Sequence, residues 1–548
     1  MIRTINPTGT LYYGQGMVPQ MARDLELAGL AHPVVLHLPG SARAAKKMAR
    51  RMTAWGTRPI PVTHHRPPQD CDALILMGHP SLLERYQSDP RVKILIPLIP
   101  EDVAALPGKI DVKALVIDAS LKTPQSILED FFRRFAISAF GALTPHPAPL
   151  EIPSSFVFTL NTQGFIGNGV REELPKILQE KGISSPLLLT DHGVTAAGLT
   201  AEVENLLQLT EYRIFDNIPP DSDASVVNAI SQVYRETGRD GLVLLGGGSV
   251  LDTGKGVAMN IGLGAEDLAQ WAGSNRLPPI DVPVIALPTT SGTGSEVTKA
   301  AVISDPRQGR KSLYISNELQ PDHALIDSEF TQSLPPHLTG MTGMDALSHA
   351  MEAYTGLAKN PISDQLSWHA IDLIRKHLIM CLKEPQNPTH RQAMAEASTL
   401  AGAAFSNSMV AMVHSLGHSM GALCHLPHGL CMAILLAPVL EYNKSAISQE
   451  LAALSPILTG VETQNQSHEE LVDASIAAVK TLNHQLHEQT EERHPLRFSQ
   501  IRDREGEQAV LENHLPQVAR TAIDDASVVY NPVEMDAQDA LQVLQKCW

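Results

Sequence analysis

The chain has 548 residues, of which 43% are hydrophobic and 18% charged, and it carries a net charge of −17. This length exceeds what one hydrophobic core usually organises, so several domains are expected. The negative net charge argues against a nucleic-acid binder, and the apolar runs are too short to cross a bilayer. Five cysteines are too few for a disulfide framework. We therefore expect a cytoplasmic protein.

The pattern of predicted elements changes along the chain. Up to about residue 334, short apolar runs alternate with amphipathic stretches, which is typical of βαβ units on a mainly parallel sheet. Beyond Pro335, long helical patterns rich in Ala, Leu and His replace the strand patterns. A Pro-rich stretch at residues 144–153 is the best candidate for a linker. We therefore predict three domains, residues 1–150, 151–334 and 335–548.

An internal repeat relates the first two of these blocks. The matching pairs that lie 153 residues apart are Gly14 and Gly167, Gly16 and Gly169, Gly29 and Gly182, Pro33 and Pro186, and Gly40 and Gly193. Farther along, residues 72–81 match residues 240–249, and residues 114–118 match residues 324–327. The common order of the matches favours a duplicated nucleotide-binding fold over a chance likeness of βαβ units.

A glycine turn follows a predicted strand in the second block. Leu242-Val-Leu-Leu leads into Gly246, Gly247, Gly248 and Ser249, where a helical pattern begins. A strand, a glycine turn and a helix N-terminus bring free backbone N–H groups together, which suits a pyrophosphate. Packing alone could also require these glycines, because their spacing is not that of the usual dinucleotide fingerprint.

Two more strand ends could complete a dinucleotide site. The loop Pro288–Thr298 crowds hydroxyl groups and glycines at the carboxyl end of a strand, where open α/β sheets bind ligands, although a solvated turn is the alternative. Asp191 ends the first strand of the second block. An acid there can bind the adenosine ribose and repel the 2′-phosphate of NADP, or it can cap a helix.

Histidines and an aspartate gather in the third block. Asp345 and His349 lie four residues apart on one face of a predicted helix, and His414 and His418 repeat that spacing. His428 follows soon afterwards. Three histidines and one carboxylate suit Fe²⁺ or Zn²⁺ and leave room for an oxygen ligand. A lone helical histidine is usually a core or surface residue, but two such pairs are harder to explain in that way.

Three neighbouring residues leave the ligand set open at this point. His425 lies in the same stretch, and we regard it as peripheral. Cys424 and Cys431 could ligate zinc, although small buried thiols are the more frequent case.

Together these segments resemble the iron-containing (group III) alcohol dehydrogenase family and its relatives, the maleylacetate reductases and glycerol dehydrogenases. The matching segments are Gly246–Asp252, Pro288–Glu296, Gly343–His349, His414–Gly421 and Pro427–Gly429. The resemblance runs from about residue 156 to the C-terminus. It implies an α/β nucleotide-binding domain followed by an all-α metal-binding domain, with the active-site cleft between them.

The resemblance also implies roles for individual residues. The four metal ligands would be Asp345, His349, His414 and His428, and His418 would be the catalytic histidine beside the nicotinamide and the substrate. The residues of the NAD cleft would be Asp191, Gly246, Gly247, Gly248, Ser249, Asp252, Thr289, Thr290, Thr293 and Lys311.

The first 150 residues depart from the family pattern. They resemble the cofactor domain only in degenerate form, with Gly78-His-Pro-Ser81 in place of the glycine turn and Leu38 in place of the acid. Proline cannot donate a backbone N–H. We therefore expect an additional N-terminal α/β pseudo-domain that holds no cofactor and has a structural role; the alternative is an independent domain that binds some other ligand.

The predicted activity is hydride transfer between NAD and a small alcohol or its aldehyde or ketone, assisted by the metal as a Lewis acid. Alternatives within the same architecture are a glycerol dehydrogenase, a maleylacetate reductase, or a lyase of the dehydroquinate-synthase type, which should have a glutamate ligand. A non-catalytic scaffold with a retained metal site is the alternative of a different class. The expected partners are the substrate and, in a homo-oligomer, a second copy of the chain, with no nucleic acid and no membrane.

Overall fold

A computed structural model describes most of the chain after residue 149 and the main elements before it. The described residues are 3–5, 9–14, 17, 20–21, 33–37, 60–63, 73–78, 80–86, 92–97, 100–106, 114–117, 121, 123–141, 143, 146, 150–208, 210–220, 223–265, 267–305, 310–461, 465–503 and 505–548.

Strands dominate the first part of the chain and helices the second. The strands are β1 (Arg3–Ile5), β2 (Gly9–Gly14), β3 (Pro33–His37), β4 (Ile60–Thr63), β5 (Ala73–Met77), β6 (Val92–Ile96), β7 (Ala114–Ile117), β8 (Ser155–Leu160), β9 (Gln163–Gly167), β10 (Pro186–Leu189), β11 (Arg213–Phe215), β12 (Gly241–Gly246), β13 (Gly273–Ser274), β14 (Val284–Pro288), β15 (Ala300–Asp305), β16 (Arg310–Ile315) and β17 (His323–Asp327). The α-helices are α1 (Ser81–Arg85), α2 (Pro100–Ala104), α3 (Gln125–Phe140), α4 (Leu174–Glu180), α5 (His192–Ala196), α6 (Leu199–Leu207), α7 (Ala224–Glu236), α8 (Gly248–Leu263), α9 (Pro336–Thr355), α10 (Pro361–Lys383), α11 (Pro388–Ser408), α12 (Met412–Cys424), α13 (His428–Asn443), α14 (Ser448–Thr459), α15 (His468–Gln489), α16 (Leu515–Ala522) and α17 (Ala537–Lys546).

The described strands form two seven-stranded sheets and a small three-stranded one. The first sheet has the order β4-β3-β5-β6-β7-β2-β8, and the second has the order β11-β10-β12-β14-β17-β9-β1. In both, every pairing is parallel except that of the last strand, which is antiparallel. The two large sheets therefore share one strand order, as the internal repeat predicts.

The second sheet is covered on both faces, as expected for parallel strands. Along β12, Leu242 and Leu244 face one hydrophobic cluster with residues of α7 and α8. Val243 and Leu245 face a second cluster with residues of α4 and α6. All four are fully buried, which explains why this strand is a continuous apolar run rather than an alternating one.

Helices follow the second sheet from Pro336 onward, close to the predicted change at residue 335. Together with the two α/β sheets, they confirm the predicted fold class. The domain limits stay a prediction, because strand pairing crosses them: β1 joins the second sheet, and β8, beyond residue 150, joins the first. In the part of the chain that is described, no helix has the length and apolar character of a bilayer span.

Candidate metal centre and cofactor cleft

Helix α9 carries the first two predicted metal ligands. It begins after Pro335, and its later turns are buried, so that polar side chains on it point into the protein. Asp345 and His349 lie one turn apart, with 3.8 Å between Asp345 Oδ1 and His349 Nε2. The His349 ring stacks on Phe405 of α11, with ring centroids 4.1 Å apart. The spacing in the sequence thus becomes one ligand-bearing helix face.

Two further histidines reach the same point from neighbouring helices. His414 lies in α12, and His428 is the first residue of α13, following Pro427. Their Nε2 atoms lie 3.9 Å and 3.4 Å from Asp345 Oδ1. One ligand atom from each of the four predicted ligands falls within 4.8 Å of the others. Three helices therefore assemble the predicted set.

The four side chains fit a divalent metal. Metal–nitrogen and metal–oxygen bonds of about 2.0–2.2 Å place the ligand atoms of one ion about 3–4 Å apart, which matches these separations. Asp345 Oδ1 and His414 Nε2 are buried without a hydrogen-bond partner. Buried polar atoms are normally satisfied, so a cation at this point would supply what both atoms lack.

The charges of the cluster are coupled. Burial lowers the pKa of His349 to about 3 and holds the pKa of His414 well below its ordinary value. Burial alone would raise the pKa of Asp345, but the three neighbouring histidines outweigh it and hold that pKa below its ordinary value. His349 and His414 consequently offer neutral imidazoles and Asp345 an ionised carboxylate, the protonation states in which these groups ligate metals.

Glu352 positions one of the ligands. Its Oε2 lies 2.5 Å from His414 Nδ1, and its Oε1 accepts a hydrogen bond of 2.6 Å from the Val413 N–H. With a carboxylate as its partner, Nδ1 carries the proton and the Nε2 lone pair faces the cluster. Burial raises the pKa of Glu352 to about 7 against the hydrogen bonds from backbone N–H groups. Glu352 therefore fixes the tautomer and the orientation of His414.

Replacing Glu352 with glutamine should weaken metal binding by about tenfold, because partners that orient a ligand contribute about 10–100-fold to metal affinity. Competition with a chelator measures this loss. Glu396→Gln is the matched control, because Glu396 is equally buried and lies 3.5 Å from another histidine, His369. Equal metal affinity in both variants would contradict the role of Glu352.

His418 lies beside the ligands without belonging to the four-residue group. Its ring centroid is 5.4 Å from that of His428 and 5.7 Å from that of His414. Its Nδ1 lies 2.9 Å from Oδ2 of Asp525. Burial would raise the pKa of Asp525, but the contact with His418 outweighs it and holds that pKa below its ordinary value. Asp525 thereby orients His418, whose Nε2 is left for the cavity that the residue lines.

The glycine turn meets the second loop at the carboxyl end of the second sheet. A Cβ on Gly247 would lie 3.1 Å from Thr290 Cγ2, and one on Gly248 would lie 2.7 Å from Thr293 Cγ2. A Cβ on Gly246 would lie 2.5 Å from Val250 Cγ2. These glycines therefore allow close packing of the two loops, and the same packing places the N-terminus of α8 at the cleft.

Close approach also joins the second loop to the helical region. Gly294 has φ +60°, and a Cβ added there would lie 2.5 Å from Gly402 Cα. Asp252 strengthens the loop from the other side, since its Oδ1 accepts a hydrogen bond of 2.6 Å from Ser295 Oγ and its Oδ2 accepts one of 3.0 Å from the Val302 N–H. Both oxygens of Asp252 are thus used within the protein.

The remaining predicted cofactor residues lie at strand ends. Thr289 is buried, and its N–H donates to Gly246 O. Asp191 follows β10 and caps α5, where its Oδ1 accepts a hydrogen bond of 2.9 Å from the Val194 N–H. The helix-cap interpretation of Asp191 therefore holds, and contact with a ribose stays a prediction. Lys311 belongs to β16, but its side chain lies outside the described residues.

One cavity joins the two predicted sites. Gly248, Ser249, Asp252 and Thr293 line it at the sheet, and all four predicted metal ligands and His418 line it at the helices. Phe405, Met409 and Val410 add apolar wall. Reactants held at the sheet and at the metal cluster would share this one space.

The other nearby groups take no part in this centre. His425 is an exposed helix C-cap with φ +53°, as expected of a peripheral residue. Cys431 is fully buried, and Cys424 Sγ lies 3.4 Å from His514 Nδ1. Among the described residues, neither cysteine belongs to the group that could hold a metal.

The sequence interpretation missed Glu352, Phe405 and Asp525. Glu352 had a usable signal, because it continues the buried face of Asp345 and His349 by one more turn. Asp525 lies 107 residues beyond its partner His418, and no local pattern connects them.

Comparison with known proteins identifies the lineage. The profile of the iron-containing alcohol dehydrogenase family matches residues 161–328, and that of the family's C-terminal domain matches residues 339–548. The chain belongs to the iron-containing alcohol dehydrogenase family. It is therefore an alcohol/aldehyde oxidoreductase, as the sequence resemblance predicts.

Individual relatives agree with this assignment. Alcohol dehydrogenase 4 of Saccharomyces cerevisiae is 31% identical over 386 residues, which is 70% of this chain and 96% of that protein. The NAD-dependent methanol dehydrogenase of Bacillus methanolicus is 30% identical over 71% of this chain and 98% of its own length. The structure of an alcohol dehydrogenase from Oenococcus oeni superposes with a TM-score of 0.67 at 29% identity, over 71% of this chain and 99% of that one.

Proposed function

We propose that this iron-containing alcohol dehydrogenase uses NAD to interconvert a small alcohol and its aldehyde or ketone. The single cavity that connects the glycine turn with the Asp345–His428 cluster carries the proposal. Hydride transfer requires the two reactants in contact, and this shared space lets a cofactor at the sheet and a substrate at the metal cluster meet. The apolar wall formed by Phe405, Met409 and Val410 suits a substrate with little charge.

Fe²⁺ is the proposed metal, held by Asp345, His349, His414 and His428. A bound divalent ion supplies Lewis acidity toward an alcohol or carbonyl oxygen. Burial keeps the imidazoles of His349 and His414 neutral, and Glu352 fixes the tautomer of His414. His418, oriented by Asp525, faces the same cavity and is placed to accept the hydroxyl proton of an alcohol or return it to an aldehyde.

NAD is the proposed cofactor, with its pyrophosphate at the N-terminus of α8. Helix α8 has sixteen residues, and the N–H groups of its first turn point toward the end of β12 that borders the cavity. The relative from Bacillus methanolicus is named as NAD-dependent. A cytoplasmic location remains a prediction from the sequence.

The choice between NAD and NADP should depend on the charge of Asp191. We expect Asp191→Asn to lower the ratio of kcat/KM for NAD over NADP by about tenfold, or about 1.4 kcal/mol, because repulsion of the 2′-phosphate of NADP is removed. Asparagine can still cap α5, so this substitution separates the charge from the cap. The ratio of kcat/KM for the two cofactors is the measurement. A wild-type enzyme that prefers NADPH would contradict the placement of Asp191.

Metal analysis combined with a screen of NADH consumption over small aldehydes and ketones tests the function as a whole. We expect about one metal per chain and turnover of at least one short carbonyl compound. A metal-loaded protein that binds NADH and turns over none of them would favour the scaffold interpretation.

A further inference from the structure

Each large sheet is preceded in the chain by a short arm. The arm β1 precedes β2, the first strand of the first sheet, and β8 precedes β9, the first strand of the second. The two arms are related by the same 153-residue repeat as the sheets. Adding 153 to the numbers of Arg3–Ile5 gives residues 156–158, which lie within β8. They are therefore equivalent parts of the two copies.

The arms are exchanged between the sheets. β1 pairs antiparallel with β9, and β8 pairs antiparallel with β2. Only two residues separate β8 from β9, which is enough for a tight local hairpin, and a local hairpin closes the shorter loop. Neither arm folds back onto its own following strand.

The exchange is symmetric residue by residue. In one pairing Ile5 lies opposite Gly164, and in the other Leu11 lies opposite Phe158. A shift of 153 residues converts each pair into the other. In an interface with two-fold symmetry, each contact between two surfaces is repeated with the roles of the two partners exchanged. The two arm pairings have this property.

The exchanged arm β8 also reaches the wall of the active-site cavity. Thr159 donates its N–H to Asn407 Oδ1 at 2.7 Å, and Asn407 Nδ2 donates to Thr159 O at 3.1 Å. Asn407 follows Phe405 and Ser406, which line the cavity. The first sheet is thus tied through β8 to the helix end that forms part of the site.

The first copy ends where its metal domain would begin. Helix α3 starts after Pro124 as α9 starts after Pro335, and the two prolines have nearly equal backbone angles. From these prolines, the positions of Asp345 and His349 correspond to Arg134 and Ser138. Arg134 bonds to Asp130 and to Leu106 O. The first copy therefore keeps one helix and none of the ligands carried by α9.

We propose that this chain is a two-fold dimer condensed into one polypeptide. Residues 1 to about 160 take the place of a second subunit, and their arm exchange with the catalytic half occupies the face through which two copies of that half could pair. One chain then carries the whole two-fold interface and one active site. Self-association through this face is excluded, and the predicted homo-oligomer would have to use another surface.

Engineered cysteines distinguish exchange within one chain from exchange between two chains. Thr10 and Thr159 lie opposite one another in β2 and β8, with their Oγ1 atoms 3.3 Å apart. In the full-length Thr10→Cys, Thr159→Cys variant, oxidation by diamide should consume two thiols per chain and yield only a species with the mass of one chain. Each single variant is the control for the native cysteines.

Two results would overturn the proposal. A covalent dimer on a non-reducing gel would place the arm exchange between chains. Failure of the two engineered thiols to react with one another would show that β2 and β8 do not pair. Should the threonine variant fail to fold, Tyr13→Cys with Phe156→Cys is read in the same way, since this pair lies three positions along the same register. Hydrogen-bonded and non-hydrogen-bonded pairs alternate along an antiparallel register. Two pairs that are three positions apart therefore differ in geometry, and one of them is suited to a disulfide.

Discussion

His414→Ala and His428→Ala are each expected to lose the metal and to lower kcat by about 10³-fold, with the fold retained. Among the described residues, each histidine is one of the three whose ligand atoms converge with that of Asp345. Lewis-acid stabilisation of about 4 kcal/mol at the transition state corresponds to this factor. Metal content and kcat, measured after dialysis against a chelator and reloading with Fe²⁺, give the result.

His425→Asn is the control for both variants. His425 lies between the two ligands in the sequence but is exposed and has φ +53°, a conformation that asparagine tolerates. We expect wild-type metal content and turnover from this variant. Normal turnover by His414→Ala or His428→Ala in buffer treated with a chelator would refute the ligand assignment.

His418→Gln should lower kcat by about 10²-fold while leaving the metal content unchanged. A positioned proton acceptor contributes about 10²–10⁴-fold, and the hydrogen bond to Asp525 holds the His418 ring at the cavity. The KM for the alcohol should change little if His418 acts mainly on the proton. Steady-state kinetics with the reloaded enzyme separate kcat from KM.

Asp525→Asn tests whether orientation of the ring matters separately. This variant keeps the imidazole and removes the charged acceptor, so kcat should fall less than in His418→Gln. Two results for His418→Gln would contradict a role in proton transfer: an unchanged kcat or a full loss of metal. Either would show that His418 only packs against the ligand rings.

Local patterns predicted much of the fold and of the candidate site. The apolar run of β12 was recognisable because strands covered on both faces contain few polar residues. The pairs Asp345/His349 and His414/His418 were visible because a helix places residues four apart on one face. The degenerate turn at residues 78–81 was predicted to bind no cofactor. The N–H of Gly78 donates to Ile96 O and is thus used within the protein. That the turn binds no cofactor stays a prediction.

Contacts between distant segments were beyond the reach of such patterns. The partner of His418 lies 107 residues away, and the partner strand of β8 begins at Gly9. Pairing of this kind depends on which surfaces remain uncovered after the local elements form. The repeat indicated two copies of one fold, but it carried no information about which sheet each arm would join.

The contact between Gly294 and Gly402 restricts how the cleft can open. The Cα of Gly402 lies 2.5 Å from the position that a Cβ on Gly294 would take, so the loop Pro288–Thr298 and helix α11 touch backbone to backbone with no flexible group between them. A side chain at either glycine would therefore have to displace the backbone of the other segment. We therefore expect a bulkier residue at either position to push this loop away from α11 and to alter the cavity that both segments border.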